Sequence, residues 1–425
     1  MPTVHVIGAG LAGLAAAVKL ENSGVAVQVH EAAGQAGGRC RSFHDKTLDH
    51  MIDNGNHLLL SGNKAALSYL DAVGSTDALS GPKKAAFPFV DARTRERWTL
   101  KPNWGPLPWW VMSGERRVPD THVWNYLSGL RIPFAKPSQT VADVISTSGP
   151  LYQRFWEPLV VAVLNTAPEK GAASLLWPVL RETFLKGEQA CRPLIARKGL
   201  GPAFVDPAVR LFARTNRPVR FNALLKGMER EDGRVTALLF GEDRIDIGPQ
   251  DTVILAVPPA RAKDLVPGLD VPGDGETILN VHFRLRRPAP KPDGVGVIGL
   301  INAHAQWAFV RGNIVSLTVS AAGDLADRPT DELLRLFWTE TRFALGLIDR
   351  DYEAGRIIKE KRATFDQSPE SVARRPGAQT AWGNLLLAGD WTDTGLPATI
   401  EGAIRSGLKA ANLTLARASG AAEGS

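Results

Sequence analysis

Residues 3–31 limit the fold more than any other stretch. Thr3-Val-His-Val-Ile7 is short, apolar and β-branched, the pattern of a strand buried in a parallel sheet. Gly8-Ala-Gly10-Leu-Ala-Gly13 follows at once. Residues 11–23 then read as a helix, with Leu14, Val18 and Leu20 among small alanines, and residues 25–30 as a second strand. Glu31 closes that strand 18 positions past Gly13, near the roughly 20 expected of an acid that holds a ribose hydroxyl.

Each position has a physical use. Gly8 permits the tight turn, Gly10 lets the backbone approach a pyrophosphate, and Gly13 lets helix and strand pack closely. Free amides and the dipole at the helix start hold phosphate charge. A glycine fingerprint alone also suits a structural turn with no ligand. The strand–turn–helix–strand context closed by an acid is what points to a dinucleotide.

A chain of 425 residues has room for two or three domains. Its net charge of +6 is modest, and basic residues are interleaved with acids, so nucleic acid is not an expected partner. Mild attraction to an anionic membrane surface stays open. The two cysteines, Cys40 and Cys191, form neither a C-x-x-C nor a metal-ligand spacing. Reduced thiols and no metal are the expectation. The opening strand leaves no room for a secretory leader, and no apolar run approaches the roughly 18 residues of a spanning helix. The expected location is cytoplasmic, with peripheral contact on the inner face of the membrane left open.

Directly after Glu31 come Gly37, Gly38 and Arg39. Paired glycines again allow close backbone approach and Arg39 can neutralise a phosphate, so the loop reads as a second wall of the same site. Asp53-Asn-Gly-Asn-His57 is polar and turn-forming, which makes His57 either a plain loop histidine or a neighbour of the cofactor ring. Residues 61–193 lose the nucleotide pattern and read as mostly helical. Within them, the tryptophan-rich stretch 101–112 is either core or an interfacial loop that admits a greasy substrate. Residues 151–167 read as a helix carrying Glu157 and Asn165. Residues 219–230 and 235–240 read as a hairpin turning at Asp232-Gly233, and 252–257 as a buried strand stopped by Pro258-Pro259. Strands are expected at 280–286 and 313–320, with a helix at 330–347.

The closing segment repeats the opening device. Residues 384–388 are a short apolar strand, Gly389-Asp390 opens a polar glycine loop, and 403–416 read as a helix, with a disordered tail from 419. The Asp390 carboxylate can accept bonds from sugar or ribityl hydroxyls, and the helix start supplies amides. Two such devices at opposite ends of one chain favour a long cofactor, FAD over NAD. Gly199-Leu-Gly201 has no preceding strand, so no second dinucleotide site is expected.

GAGLAG at 8–13, the GGR triplet at 37–39 and LAGDW at 387–391 together resemble the flavin-containing amine oxidase and carotenoid desaturase superfamily. Trp156-Glu-Pro-Leu-Val-Val-Ala-Val-Leu-Asn165 and the run from Ala388 to Ala403 resemble the squalene-associated FAD-dependent desaturases, understood as hydroxysqualene dehydroxylases. The resemblance implies an α/β fold: a Rossmann-type FAD-binding domain assembled from the discontinuous segments 1–60, 194–260 and 376–418, with a mixed α+β substrate domain from 61–193 and 261–375. It implies flavin contacts at Gly8, Gly10, Ala12, Gly13, Glu31, Gly38, Arg39, Gly389, Asp390, Thr399 and Ile400. Leu225 takes the hairpin position whose backbone meets the adenine, where a valine is usual.

The implied reaction is reduction of hydroxysqualene to squalene, with a long-chain isoprenoid substrate and an external electron donor or reductase as partners. The alcohol carbon is allylic, so loss of water leaves a delocalised cation that accepts a hydride from reduced flavin. The nominated proton donors are His57 and Glu157, or a water held by Asn56 or Asn165. A carotenoid or polyprenoid desaturase, a flavin amine oxidase and a non-enzymatic lipid-binding flavoprotein are the rival readings. Only four tyrosines are available for an amine oxidase's aromatic cage.

Overall fold

The computed structural model describes residues 2–347 and 350–422. Its nucleotide sheet has four short parallel strands. β1 (Thr3–Ile7) lies between β2 (Ala26–His30) and Thr252–Leu255, and Leu385–Leu387 pairs with the latter. Three distant chain segments therefore share one sheet, joined in parallel through long crossovers. α1 (Leu11–Glu21) packs against the C-terminal helix Ile400–Ala422, with Leu14, Val18, Ile404 and Ala411 in one core. Glycine makes that contact close, since a Cβ on Gly407 would stand 2.1 Å from the Ala12 carbonyl oxygen.

The second half is built on a seven-stranded sheet. Its order is Tyr352–Glu360, Ile278–Leu285, Ile314–Val319, Trp307–Arg311, Val297–Ile301, Phe87–Asp91 and Arg97–Leu100. All neighbours are antiparallel except Val297–Ile301 with Phe87–Asp91. The helix Thr330–Leu345 buries Leu333 and Phe337 against Leu279 and Phe283 of this sheet, and ends at Gly346 in the left-handed region. A second cluster of helices, Glu157–Leu164 and Ala173–Glu182 among them, closes over Phe155, Trp156, Val160 and Leu176.

Several elements differ from the sequence reading. Residues 61–193 are not only helical, because Phe87–Asp91 and Arg97–Leu100 extend the large sheet. The helix expected at 151–167 is a π turn at Tyr152–Trp156 running into Glu157–Leu164, stopped where Asn165 turns left-handed at φ 49°. The hairpin opens at Gly227, not at residue 219, because Arg220 bridges to His30 and Asn222 turns at φ 56°. Leu225 thus precedes the strand. Asp232 and Gly233, both with positive φ, make the hairpin turn, and a third strand, Asp243–Asp246, adds to the pair. The C-terminal helix runs on through Ala422, so 419–422 of the expected tail form its last turn. Residues 423–425 of that tail lie outside the described residues.

Candidate active site

The glycines lie where the parallel strands end. Gly8 adopts φ +106°, and a Cβ there would stand 2.4 Å from the Ala256 carbonyl oxygen. A Cβ on Gly13 would stand 2.0 Å from the Gly8 oxygen, so that position holds α1 against the turn. Gly10 is different: a Cβ there would meet nothing within 4 Å, and no side chain caps the helix that starts after it. An open face beside uncapped helix amides, Ala12's among them, fits a pyrophosphate. The second glycine loop joins this wall directly. Gly37 N–H donates to the Ala9 oxygen at 2.8 Å and Gly38 lies against the Gly10 Cα. Glu31 is at the mouth, its carboxylate accepting from the Ala9 and Ala33 amides at 2.7 and 2.8 Å.

The other end of the chain completes the cradle. Arg39 Nη2 pairs with Asp390 Oδ1 at 2.6 Å, and Arg39 Nη1 donates to the Ala363 oxygen at 2.6 Å. Asp390 is buried whereas 42% of the Arg39 side chain remains open, so the pair runs from the interior toward the surface. The adjacent carboxylate holds the guanidinium above its ordinary range. Gly389 N–H donates to Ser406 Oγ at 2.9 Å, Trp391 Nε1 donates to the Val257 oxygen at 2.9 Å, and Thr399 Oγ1 accepts from Gly402 N–H at 3.0 Å. The last bond caps the C-terminal helix one turn in and leaves the Ile400 amide at its positive end. Leu225 is buried among Ile7, Leu255 and Trp391, with its carbonyl held by Arg261.

The nominated acids and amides separate into two groups. His57 shares the electrostatic neighbourhood of Asp53, Arg39 and Asp390, is half-buried, and finds no hydrogen-bond partner among the described residues. Burial pushes its pKa down to about 4, so the imidazole is neutral near pH 7. Asn56 is beside it, its backbone N–H and Nδ2 both held by Asn280 Oδ1 at 3.1 and 3.3 Å. Glu157 is not brought to this site: its side chain reaches the surface beside Glu169, and partial desolvation together with the Glu169 charge raises its pKa. Asn165 is also spent on structure, donating to the Glu276 oxygen at 2.7 Å and accepting from Ala321 N–H at 2.8 Å.

Sequence reasoning missed three residues that shape the site. Buried Arg375 donates to the carbonyls of Asp390 and Thr392 and lies over the Phe365 ring, 4.8 Å away. Gln367 links the Leu164 oxygen to the Ala398 amide at 2.6 and 2.9 Å. Glu401 accepts from the Ala65 and Ala66 amides at 3.0 and 2.9 Å, capping another helix. Glu401 falls before the helix expected at 403–416 and enters the first turn only of the observed helix, Ile400–Ala422, while its partners lie more than 330 positions away. Arg375 and Gln367 act mainly on backbone carbonyls and amides away from their own positions and left no sequence signal.

The chain matches the family described as flavin containing amine oxidoreductase over residues 11–415. It is 47% identical over 415 residues to the hydroxysqualene dehydroxylase of Rhodopseudomonas palustris, covering 97% of this chain and 98% of that one. It is 46% identical over 412 residues to the hydroxysqualene dehydroxylase of Sinorhizobium fredii, with coverage of 97% and 98%. Among solved structures, the cyclohexylamine oxidase of Brevibacterium oxydans superposes with a TM-score of 0.74 at 15% identity, covering 98% of this chain and 99% of that one. That likeness concerns the fold.

Proposed function

The chain belongs to the flavin containing amine oxidoreductase family and, within it, to the hydroxysqualene dehydroxylases, and from that premise we propose that it reduces hydroxysqualene to squalene. Its cofactor is FAD, and it is a flavin-dependent oxidoreductase. One observation carries the reading: Arg39 and Asp390, 351 positions apart, meet at 2.6 Å beside the glycine turn, which fits one long cofactor held by both chain ends. An external electron donor or reductase recharges the enzyme between turnovers. The substrate resides in lipid, so the protein works in peripheral contact with the inner face of the cell membrane.

In the reaction the allylic C–O bond breaks, the hydroxyl leaves as water with one proton taken from solvent, and a C–H bond forms. Reduced FAD supplies the hydride. The residues do the rest. When FAD is bound, the amides after Gly10 would hold the pyrophosphate, Glu31 the ribose, and Asp390 the ribityl hydroxyls, and the Thr399–Ile400 helix start would face the flavin. His57 donates a hydrogen bond to the leaving hydroxyl through a neutral imidazole, which suits a site where a charged group would be poorly solvated. An aromatic cage has no tyrosines to draw on. Tyr69 and Tyr152 bond to the Phe204 oxygen and Glu169, while Tyr126 and Tyr352 pack on Trp110 and Trp338.

The test is an anaerobic incubation of the purified yellow protein with hydroxysqualene and a chemical reductant. Squalene forms with reductant and not without it. A flavin-loaded, reducible protein that makes no squalene ends the proposal. His57→Ala retains FAD and loses about a hundredfold in turnover; unchanged turnover removes His57 from the mechanism.

A further inference from the structure

Exposed large apolar side chains concentrate in one stretch of the chain. Of the ten found exposed among the described residues, eight fall between 104 and 134, a concentration that single scattered surface apolars do not produce. Trp104, Leu107, Trp109 and Met112 project from the first part. Trp124, Leu127, Leu130 and Phe134 project from the successive 3-10 turns of Val123–Phe134. Trp104, Trp124 and Phe134 are 76%, 77% and 84% exposed.

The segment is held in this orientation. Its inner side chains Trp110, Val118 and Ile132 are buried in the helical core, and Tyr126 meets Trp110 edge-on at 5.4 Å. Gly129 lies so close to the Trp156 ring that a Cβ would stand 2.8 Å from it. Asn103 gathers the loop, accepting from Trp110 N–H at 2.8 Å while donating to the Trp104 and Leu107 carbonyls. Residues 101–136 contain five basic side chains and two acidic ones, and Asp120, one of the acids, is paired with Arg154 at 3.0 Å. Lys101, Arg116, Arg131 and Lys136 are exposed among the aromatics.

We infer that residues 101–136 form a docking surface for an anionic phospholipid bilayer. Tryptophan and phenylalanine enter the headgroup boundary while the lysines and arginines meet lipid phosphate. Insertion is shallow, since no helix among the described residues is long and apolar enough to cross a membrane. The surface deepens the proposed function by placing the enzyme where a long isoprenoid dissolves, but lipid docking does not depend on which substrate is turned over.

The test uses full-length flavoprotein and no substrate. Phosphatidylcholine vesicles with phosphatidylglycerol sediment the wild-type protein and shift its tryptophan emission to the blue. Trp104→Ser, Trp109→Ser, Trp124→Ser and Phe134→Ser combined weaken binding about a hundredfold or more, with circular dichroism and flavin content unchanged. Arg116→Gln, Arg131→Gln and Lys136→Gln, a milder set that keeps the core intact, weaken it about fivefold per charge and flatten its salt dependence. A wild-type protein that leaves the vesicles unbound overturns the inference. So does vesicle binding insensitive to both sets, or a stable dimer formed through these residues in place of lipid binding.

Discussion

His282 is fully buried in the strand Ile278–Leu285, and only one of its ring nitrogens is bonded. Nδ1 meets Ser316 Oγ at 2.8 Å, while Nε2 has no partner among the described residues. Burial, with Arg311 nearby, pushes its pKa down to about 4, and burial pushes His30 down to about 3. The unfolded chain takes up these protons near pH 6.5. Between pH 6.5 and about 4 the unfolded state therefore binds more protons, so stability falls as pH is lowered through that window. From pH 6.5 to about 5, His282 alone accounts for about 2 kcal/mol of that loss. His282→Gln can keep the Ser316 bond without the titration. Denaturant unfolding measured across this range is expected to show a shallower acid loss in the variant; an identical slope contradicts the assignment.

At the scale of elements, β1, α1 and β2 were legible because their signals are local. Three glycines at fixed spacing dictate a turn, and an apolar run on each side dictates a strand or a helix. The same glycines behave differently under substitution. Gly10→Ala places its Cβ in open space at φ −74°, so the fold is expected to keep its stability to within about 1 kcal/mol while FAD content collapses, because the added methyl would occupy the position proposed for the pyrophosphate. Gly13→Ala drives a Cβ to 2.0 Å from the Gly8 oxygen and is expected to cost about 3 kcal/mol by prising α1 off the strand end. Thermal melts and bound-flavin absorbance separate the two, and a Gly10→Ala protein that retains its FAD would show that the pyrophosphate sits elsewhere. Elements with weak local signals were harder. Asp243–Asp246 is too polar to announce a strand, and the hairpin of Phe87–Asp91 with Arg97–Leu100 is joined to the large sheet only through Val297–Ile301, more than 200 positions away.

At the scale of the whole molecule, the join between the two halves is made by single polar side chains, and these are invisible to periodicity. Asp53 accepts from Leu200 N–H and from Arg311 Nη1, both at 2.8 Å. Asn54 Nδ2 reaches Glu360 at 2.9 Å. In the sequence, the 53–57 run was readable as a polar turn near the cofactor, but most of its partners lie on strands of the large sheet whose alignment only the finished fold provides. Asn280 is the centre of this join. Its Oδ1 accepts from Asn56 and from Thr318 Oγ1, and its Nδ2 donates to the Asn54 oxygen at 3.2 Å. Asn280→Ala leaves the buried Asn56 N–H and Asn54 carbonyl without partners, which costs about 2–4 kcal/mol. The cost falls on the seam, since Arg39–Asp390 and the glycine walls belong to the nucleotide half. Calorimetry of the variant is therefore expected to resolve two transitions where the wild type shows one, with FAD still bound below the first and turnover reduced because His57 is no longer held against the cofactor side. A single transition at the wild-type temperature, with full turnover, would mean that apolar packing alone aligns the halves.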